Sequence, residues 1–170
     1  MTPQPYRTGS NLTGLQQFAS DHIRPGMTIL EIGAFVGDST NVFLDAGASV
    51  LSVDPWNEQM PGYHVNGSIF DAWLANTRGG ASWHKGTGAD FFAVDHCPRF
   101  DLAYIDAVHT YEAVRDDIAG CLKLLKPNGK LSGHDYCPRH FPGVMQAVNE
   151  WADKLGRTVK TYPDTSWIIA

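Results

Sequence analysis

The chain has 170 residues, 43% hydrophobic and 18% charged, which fits a folded globular protein with length for a full central sheet and its own core. A formal net charge of −5 with no basic block excludes a groove that tracks nucleic-acid phosphates, which needs clustered Lys and Arg. No apolar run approaches transmembrane length and the opening residues lack the apolar core of a signal peptide, so a cytoplasmic protein with no membrane contact is expected.

Residues 1–10 read as a loose leader to one domain spanning 1–170. From Leu12 to Ile23 the residues Leu12, Leu15, Phe18, Ala19 and Ile23 share a helical face, and Pro25-Gly26 ends that helix. Thr28 to Ile32 is a short apolar strand carrying Glu31, and Gly33 follows at once. A residue without Cβ lets backbone approach a ligand or turn with positive φ. Gly37 then opens a helix over Asp38 to Ala46, whose free N–H groups, beside Asp38, Ser39 and Thr40, can hold an anion. The second strand, Ser49 to Val53, leads into Asp54, twenty-one residues after Gly33. A doubly wound nucleotide-binding unit places there the acid that holds ribose hydroxyls. Gly33 and Gly37 alone are compatible with plain turns; the strand, the turn and the distant acid together point to a nucleotide.

Residues 55–67 form a long irregular connection of the kind that is often functional. A helix from Ser68 to Thr77 stops at Gly79-Gly80, and Ser82 to Lys85 is a third strand. A short helix is expected over Asp90 to Asp95. The fourth strand, Asp101 to Asp106, again ends in an acid. The next helix places Tyr111, Val114, Ile118, Leu122 and Leu125 on one face, with Glu112, Arg115, Asp116 and Lys123 opposite. Pro127-Asn128-Gly129 reads as a turn into a fifth strand, Lys130 to Asp135. Pro142 begins a helix with the stripe Val144, Ala147, Val148, Trp151 and Leu155. Strands at Thr158 to Tyr162 and Ser166 to Ile169 close the chain as a hairpin. The odd, widely spaced Cys97, Cys121 and Cys137 define neither a disulfide framework nor a zinc site.

Strands alternating with helices give a parallel α/β sheet with right-handed crossovers, and ligands of such sheets bind beyond the C-terminal ends of the strands. That edge collects Glu31, Asp54, Asp90, Asp106, His109, His134 and Asp135. At these residues the chain resembles class I S-adenosylmethionine-dependent methyltransferases over nearly its whole length. It is most similar to the O-methyltransferase-like group carrying Ile105-Asp106-x-x-His109-x-Tyr111, Leu125-Lys126-Pro127-Asn128-Gly129 and Gly133-His134-Asp135-Tyr136. The resemblance implies a Rossmann-like sheet of seven strands in the order 3-2-1-4-5-7-6, with strand 7 antiparallel.

It further implies roles. Glu31, Gly33, Ala34, Phe35 and Gly37 would form the turn around the methionine part of S-adenosyl-L-methionine, with Ser39 on its carboxylate. Asp54 would take the ribose hydroxyls, with Pro55 and Trp56 near the adenine, and Thr87, Gly88 and Ala89, after Gly86, would wall the base. Asp106 would contact the cofactor and act in catalysis with His109, which stands where relatives carry a general base. Asp106, His134 and Asp135 match the positions that hold a divalent cation in metal-dependent relatives, making Mg²⁺ or Mn²⁺ a candidate. His134 replaces the usual acid there, which moves the preference towards Mn²⁺ or a later metal.

An ordinary imidazole pKa of roughly 6.5 suits accepting a hydroxyl proton near neutrality. Plainer readings stand beside these: Asp54 as a turn residue before Pro55, His109 as a helix-start residue beside Thr110, and His134-Asp135 as a hydrogen-bonded pair without an ion. The expected activity is O-methylation of a small hydroxylated acceptor by a protein that could form homo-oligomers. A nicotinamide-dependent oxidoreductase and a non-catalytic cofactor-binding module are the alternatives. The Gly33-x-x-x-Gly37 turn lacks the middle glycine of the usual dinucleotide fingerprint, and this and the closing strand pair count against the oxidoreductase.

Overall fold

In the computed structural model, residues 9–57, 68–77 and 80–170 are described. Most of the expected leader and most of the 55–67 connection lie outside them. The elements run α1 (Ser10–His22), β1 (Thr28–Ile32), α2 (Asp38–Asp45), β2 (Ser49–Asp54), α3 (Ile69–Thr77), β3 (Ser82–Lys85), α4 (Gly88–Phe92) and β4 (Phe100–Ile105). They continue through α5 (Tyr111–Leu124), β5 (Leu125–Gly133), α6 (Pro142–Leu155), β6 (Val159–Thr161) and β7 (Trp167–Ile169). The strands form one seven-stranded sheet in the order β3-β2-β1-β4-β5-β7-β6. β7 pairs antiparallel with both β5 and β6, while the pairs from β3 through β5 are parallel, as the resemblance implied.

Successive side chains along a strand point to opposite faces, so a sheet covered on both faces needs continuous apolar runs. β1 sends Leu30 and Ile32 to one side and Ile29 to the other; β4 divides Ala103 and Ile105 from Leu102 and Tyr104 in the same way. One core is completed by Phe91, Val114, Ile118, Ala147 and Val148 from α4, α5 and α6. The opposite core is completed by Leu15, Phe18 and Ala19 of α1 and Phe43 of α2. A third cluster, beyond the ends of β1 and β2, gathers Ala34, Val36, Trp56, Ile69 and Trp73.

Two boundaries differ from the sequence reading. The helix expected over 90–95 runs from Gly88 to Phe92, because Thr87 and Asp90 form a reciprocal capping box that fixes its start. β5 begins at Leu125 rather than Lys130 and ends at Gly133. Phe100 faces Leu125 and Leu102 faces Lys130, so the Pro127-Asn128-Gly129 segment bulges out of a strand instead of preceding it. Trp83 is 49% exposed on the edge strand β3.

Candidate active site

The ends of β1, β4 and β5 continue in register past the last paired residues. Asp106 N–H donates to the Ile32 carbonyl at 2.7 Å, His134 N–H to the Ile105 carbonyl at 3.0 Å, and Gly33 N–H to the Val53 carbonyl at 2.8 Å. These bonds bring the loops after four neighbouring strands to one rim. Gly33 has φ 88°, and a Cβ there would run into the Asp106 carbonyl, so glycine is required by both conformation and space. Gly37 caps α2.

Beneath this bend lies Glu31, with no exposed surface. Its carboxylate accepts from the hydroxyls of Ser39 at 2.5 Å, Thr40 at 2.6 Å and Ser52 at 2.6 Å, tying β1 to α2 and β2. Burial raises its pKa, and the three hydroxyl bonds pull the other way. Ser39 therefore spends its hydroxyl on Glu31, inside the protein. Asp54 is the brace of the rim: one carboxylate oxygen accepts from the backbone N–H of Ala34 and Phe35, both at 2.9 Å, and the other from Trp56 N–H at 2.7 Å. Trp56 Nε1 returns a bond to the Phe35 carbonyl at 2.8 Å. Phe35 and Trp56 have φ of 46° and 43°, left-handed values that these four bonds hold in place. A carboxylate has about four lone-pair sites, so Asp54 keeps capacity for a ligand hydroxyl.

A cavity of about 530 Å³ opens along this rim. Of the residues singled out in the sequence, Gly33, Phe35, Asp54, Pro55, Trp56, Thr87, Gly88, Ala89 and Asp106 line it, with Gly86 beside them. Glu31, Ala34, Gly37 and Ser39 support the bend from behind and do not line it. Ala113, Asp116 and Asp117 of α5 form a further part of the wall that the sequence reading did not assign to the site. Asp116 and Asp117 stand among the charged residues of an amphipathic helix, where they look like a solvated face; only the packing of α5 against Gly88 reveals their position.

Asp106 also belongs to a second group. Ligand atoms of Asp106, His134 and Asp135 lie within 4.8 Å of one another. His134 turns Nδ1 towards Asp135, 3.0 Å away, and towards Asp106, 3.8 Å away. Its Nε2 faces Thr165 Oγ1 at 3.5 Å and the buried Asp164 carboxylate at 3.8 Å. His109 bridges the acids, with Nε2 2.9 Å from Asp135 Oδ2 and 3.4 Å from Asp106 Oδ1. Burial alone would depress the His109 pKa, but the bonds to Asp106 and Asp135 and their charges win and push it up to about 9. For Asp135, burial would raise the pKa; the bonds from His109 and His134 and their charges hold it well below the usual carboxylate range. The intrinsic imidazole value that suits a base near neutrality is thus not the value His109 has beside two acids. Asp135 itself sits at φ 64° just past the strand end.

A family model described as a methyltransferase domain matches residues 30–136, which span the bend, the cavity and the acid–imidazole group. The chain belongs to the methyltransferase-domain family. Solved structures share its fold. The TDP-rhamnose 3'-O-methyltransferase of calicheamicin biosynthesis is 13% identical, with a TM-score of 0.67 over 94% of this chain and 78% of that one. An O-methyltransferase from Bacillus cereus, solved in complex with SAH, is 18% identical, with a TM-score of 0.66 over 99% of this chain and 83% of that one. TomG of Streptomyces achromogenes, an O-methyltransferase of tomaymycin synthesis solved with SAM, is 16% identical, with a TM-score of 0.62 over 98% and 81%. A curated relative, a highly reducing polyketide synthase of Pyrenophora dematioidea, is 25% identical over 119 residues; the match takes in 65% of this chain and only 4% of that protein. The family assignment agrees with the resemblance read from the sequence. No helix among the described residues is long and apolar enough to cross a membrane.

Proposed function

We propose that this methyltransferase-family chain transfers the methyl group of S-adenosylmethionine to a hydroxyl group of a small molecule. The observation that carries the reading is the double membership of Asp106: it lines the nucleotide-sized cavity and also belongs to the group formed with His134 and Asp135. Cofactor and acceptor chemistry would then meet at one residue. Gly33 and the Asp54-braced loop would receive the methionine and ribose parts, and Thr87, Gly88 and Ala89 the base. Solved O-methyltransferases of the same fold, one bound to SAH and one to SAM, support the choice of cofactor and of an oxygen acceptor.

Methyl transfer is an in-line displacement at the sulfonium carbon, so the protein aligns the partners and makes the acceptor nucleophilic. The donor set of two carboxylates and an imidazole within 4.8 Å fits a divalent cation, with the imidazole favouring Mn²⁺ or a later metal over Mg²⁺. Asp106, His134 and Asp135 would hold it. When bound, such an ion would lower the pKa of an acceptor hydroxyl and orient it. His134 is aimed for this role by what lies behind it: Asp164 and Thr165 face Nε2, leaving Nδ1 towards the acids. His109 would take the acceptor's proton, provided its own proton has first been lost.

Calorimetry with S-adenosylhomocysteine tests the cofactor half: saturable binding is expected, and no heat at millimolar ligand overturns it. For the second half, chelation is expected to lower turnover and Mn²⁺ to restore it. Turnover that survives exhaustive chelation removes the ion from the reading.

A further inference from the structure

We infer that Asp117 reads the 6-amino group of the cofactor's adenine and makes the site selective against 6-oxopurine nucleosides. The inference rests on the S-adenosylmethionine reading and adds to it a side chain that determines base specificity. It begins with a slot and one acid. Ile32, Val53, Trp56 and Ile69 give the cavity apolar walls of the kind that accept a flat ring. Asp117 adds a carboxyl to this wall from the first half of α5, and the carboxyl fills the space that a Cβ on Gly88 would need. A side chain at position 88 would push the acid from this place.

Asp116, its neighbour, is exposed and bonded to Arg115 at 2.8 Å. Asp117 has no such partner: among the described residues no N–H or O–H donates to it, and burial with the nearby Asp116 charge pushes its pKa up to about 6. Asp117 is half-buried, so water still reaches its carboxyl in the empty cavity. A flat ligand filling the cavity removes that water, and the donor that replaces it then has to come from the ligand. Adenine offers one, the exocyclic N–H at position 6. Hypoxanthine and guanine present a carbonyl oxygen there, an acceptor facing an acceptor. Withholding a hydrogen bond from a buried polar group is what lets a site reject a near-isosteric ligand strongly.

The test compares S-adenosylhomocysteine with S-inosylhomocysteine, which differ at position 6 and the adjoining ring nitrogen, by calorimetry on the wild-type protein, Asp117→Ala and Asp117→Asn at pH 7.5. The wild-type protein is expected to favour the adenosyl ligand by about tenfold or more, the range of a hydrogen bond to a charged group. Both variants are expected to bring the ratio close to one. Alanine does so by weakening the adenosyl ligand, and asparagine by turning its amide N–H towards the oxo group. A wild-type ratio near one, or a variant that keeps the wild-type ratio, overturns the inference. Should alanine loosen the α4–α5 contact and unfold the chain, the near-isosteric asparagine variant decides. If the wild-type protein binds neither ligand, the cofactor reading itself fails, an outcome separate from an unchanged ratio.

Discussion

His109 and Asp117 carry opposite electrostatic histories, and each leaves a signature in stability against pH. The pKa of His109 is raised on folding from an ordinary 6.5 to about 9. The folded state holds that proton more tightly, so the contribution is fully present below pH 6.5 and is lost as pH climbs through 9. Replacing His109 by Asn is therefore expected to lower the melting temperature of cation-free protein at pH 6, with the gap closing by about pH 10. Melting curves across that range check it; a gap that is constant with pH contradicts the two-acid clamp. Nuclear magnetic resonance offers a direct measurement, with the His109 ring expected to titrate near 9 in cation-free protein.

Asp117 also holds its proton more tightly in the folded state, so stability again falls as pH rises, but here the fold disfavours the charged form instead of favouring it. Its folded pKa of about 6 lies above the ordinary 3.8, so charging it disfavours the fold, and the penalty grows as pH rises between those values. Asp117→Asn is expected to stabilise the ligand-free protein at pH 8 by ~2 kcal/mol, allowing for the solvent that still reaches the group, and to have no such effect at pH 3.5. Denaturant unfolding at the two pH values measures the difference. The residue would then be one the fold tolerates and the ligand requires.

At the scale of elements, the bend after β1 and the loop after β2 are a single brace, because the two oxygens of Asp54 accept three backbone N–H groups from both. Asp54→Asn puts an amide donor against backbone donors. It is expected to cost about 2 kcal/mol of stability as well as cofactor affinity, read from denaturant unfolding and calorimetry on the same variant. This brace was only half legible in the sequence. The apolar run ending in an acid twenty-one residues after Gly33 marked Asp54 as a ligand group, since strand ends and periodicity are local signals. Its backbone bonds, the diversion of Ser39 to Glu31 and the left-handed Phe35 and Trp56 depend on how two loops meet, which no local pattern encodes. The same holds for β5: Pro127-Asn128-Gly129 does turn, but as a bulge within a strand whose pairing with β4 resumes beyond it. Asp117 escaped notice because an acid on a charged helical face looks solvated until the helix is docked.

Across the whole molecule the order of strands was readable because it came with the resemblance, and the alternation of strands with helices required a parallel sheet in any case. What the topology adds is a reason for the position of the site. β1 and β4 lie side by side at the centre of the sheet, and the chain runs outwards from them in both directions. The rim above them is where the loops diverge, leaving room for a ligand between Asp54 on one side and Asp106 on the other. The acid–imidazole group sits on the β4–β5 side of that opening, so a cofactor lying along the rim would present one end to it.

The place of β7 carries a consequence of another kind. Trp167, Ile168 and Ile169 are fully buried between β5 and β6, although β6 leaves the ribosome before them. Until residues 167–169 emerge, the edge of β5 has no partner on that side, and β6 has nothing to pair with. The pairs from β3 through β5 can therefore form before β7 is made, leaving an open edge on β5, and β6 finds its place only once the tryptophan and isoleucines of β7 lie between it and β5.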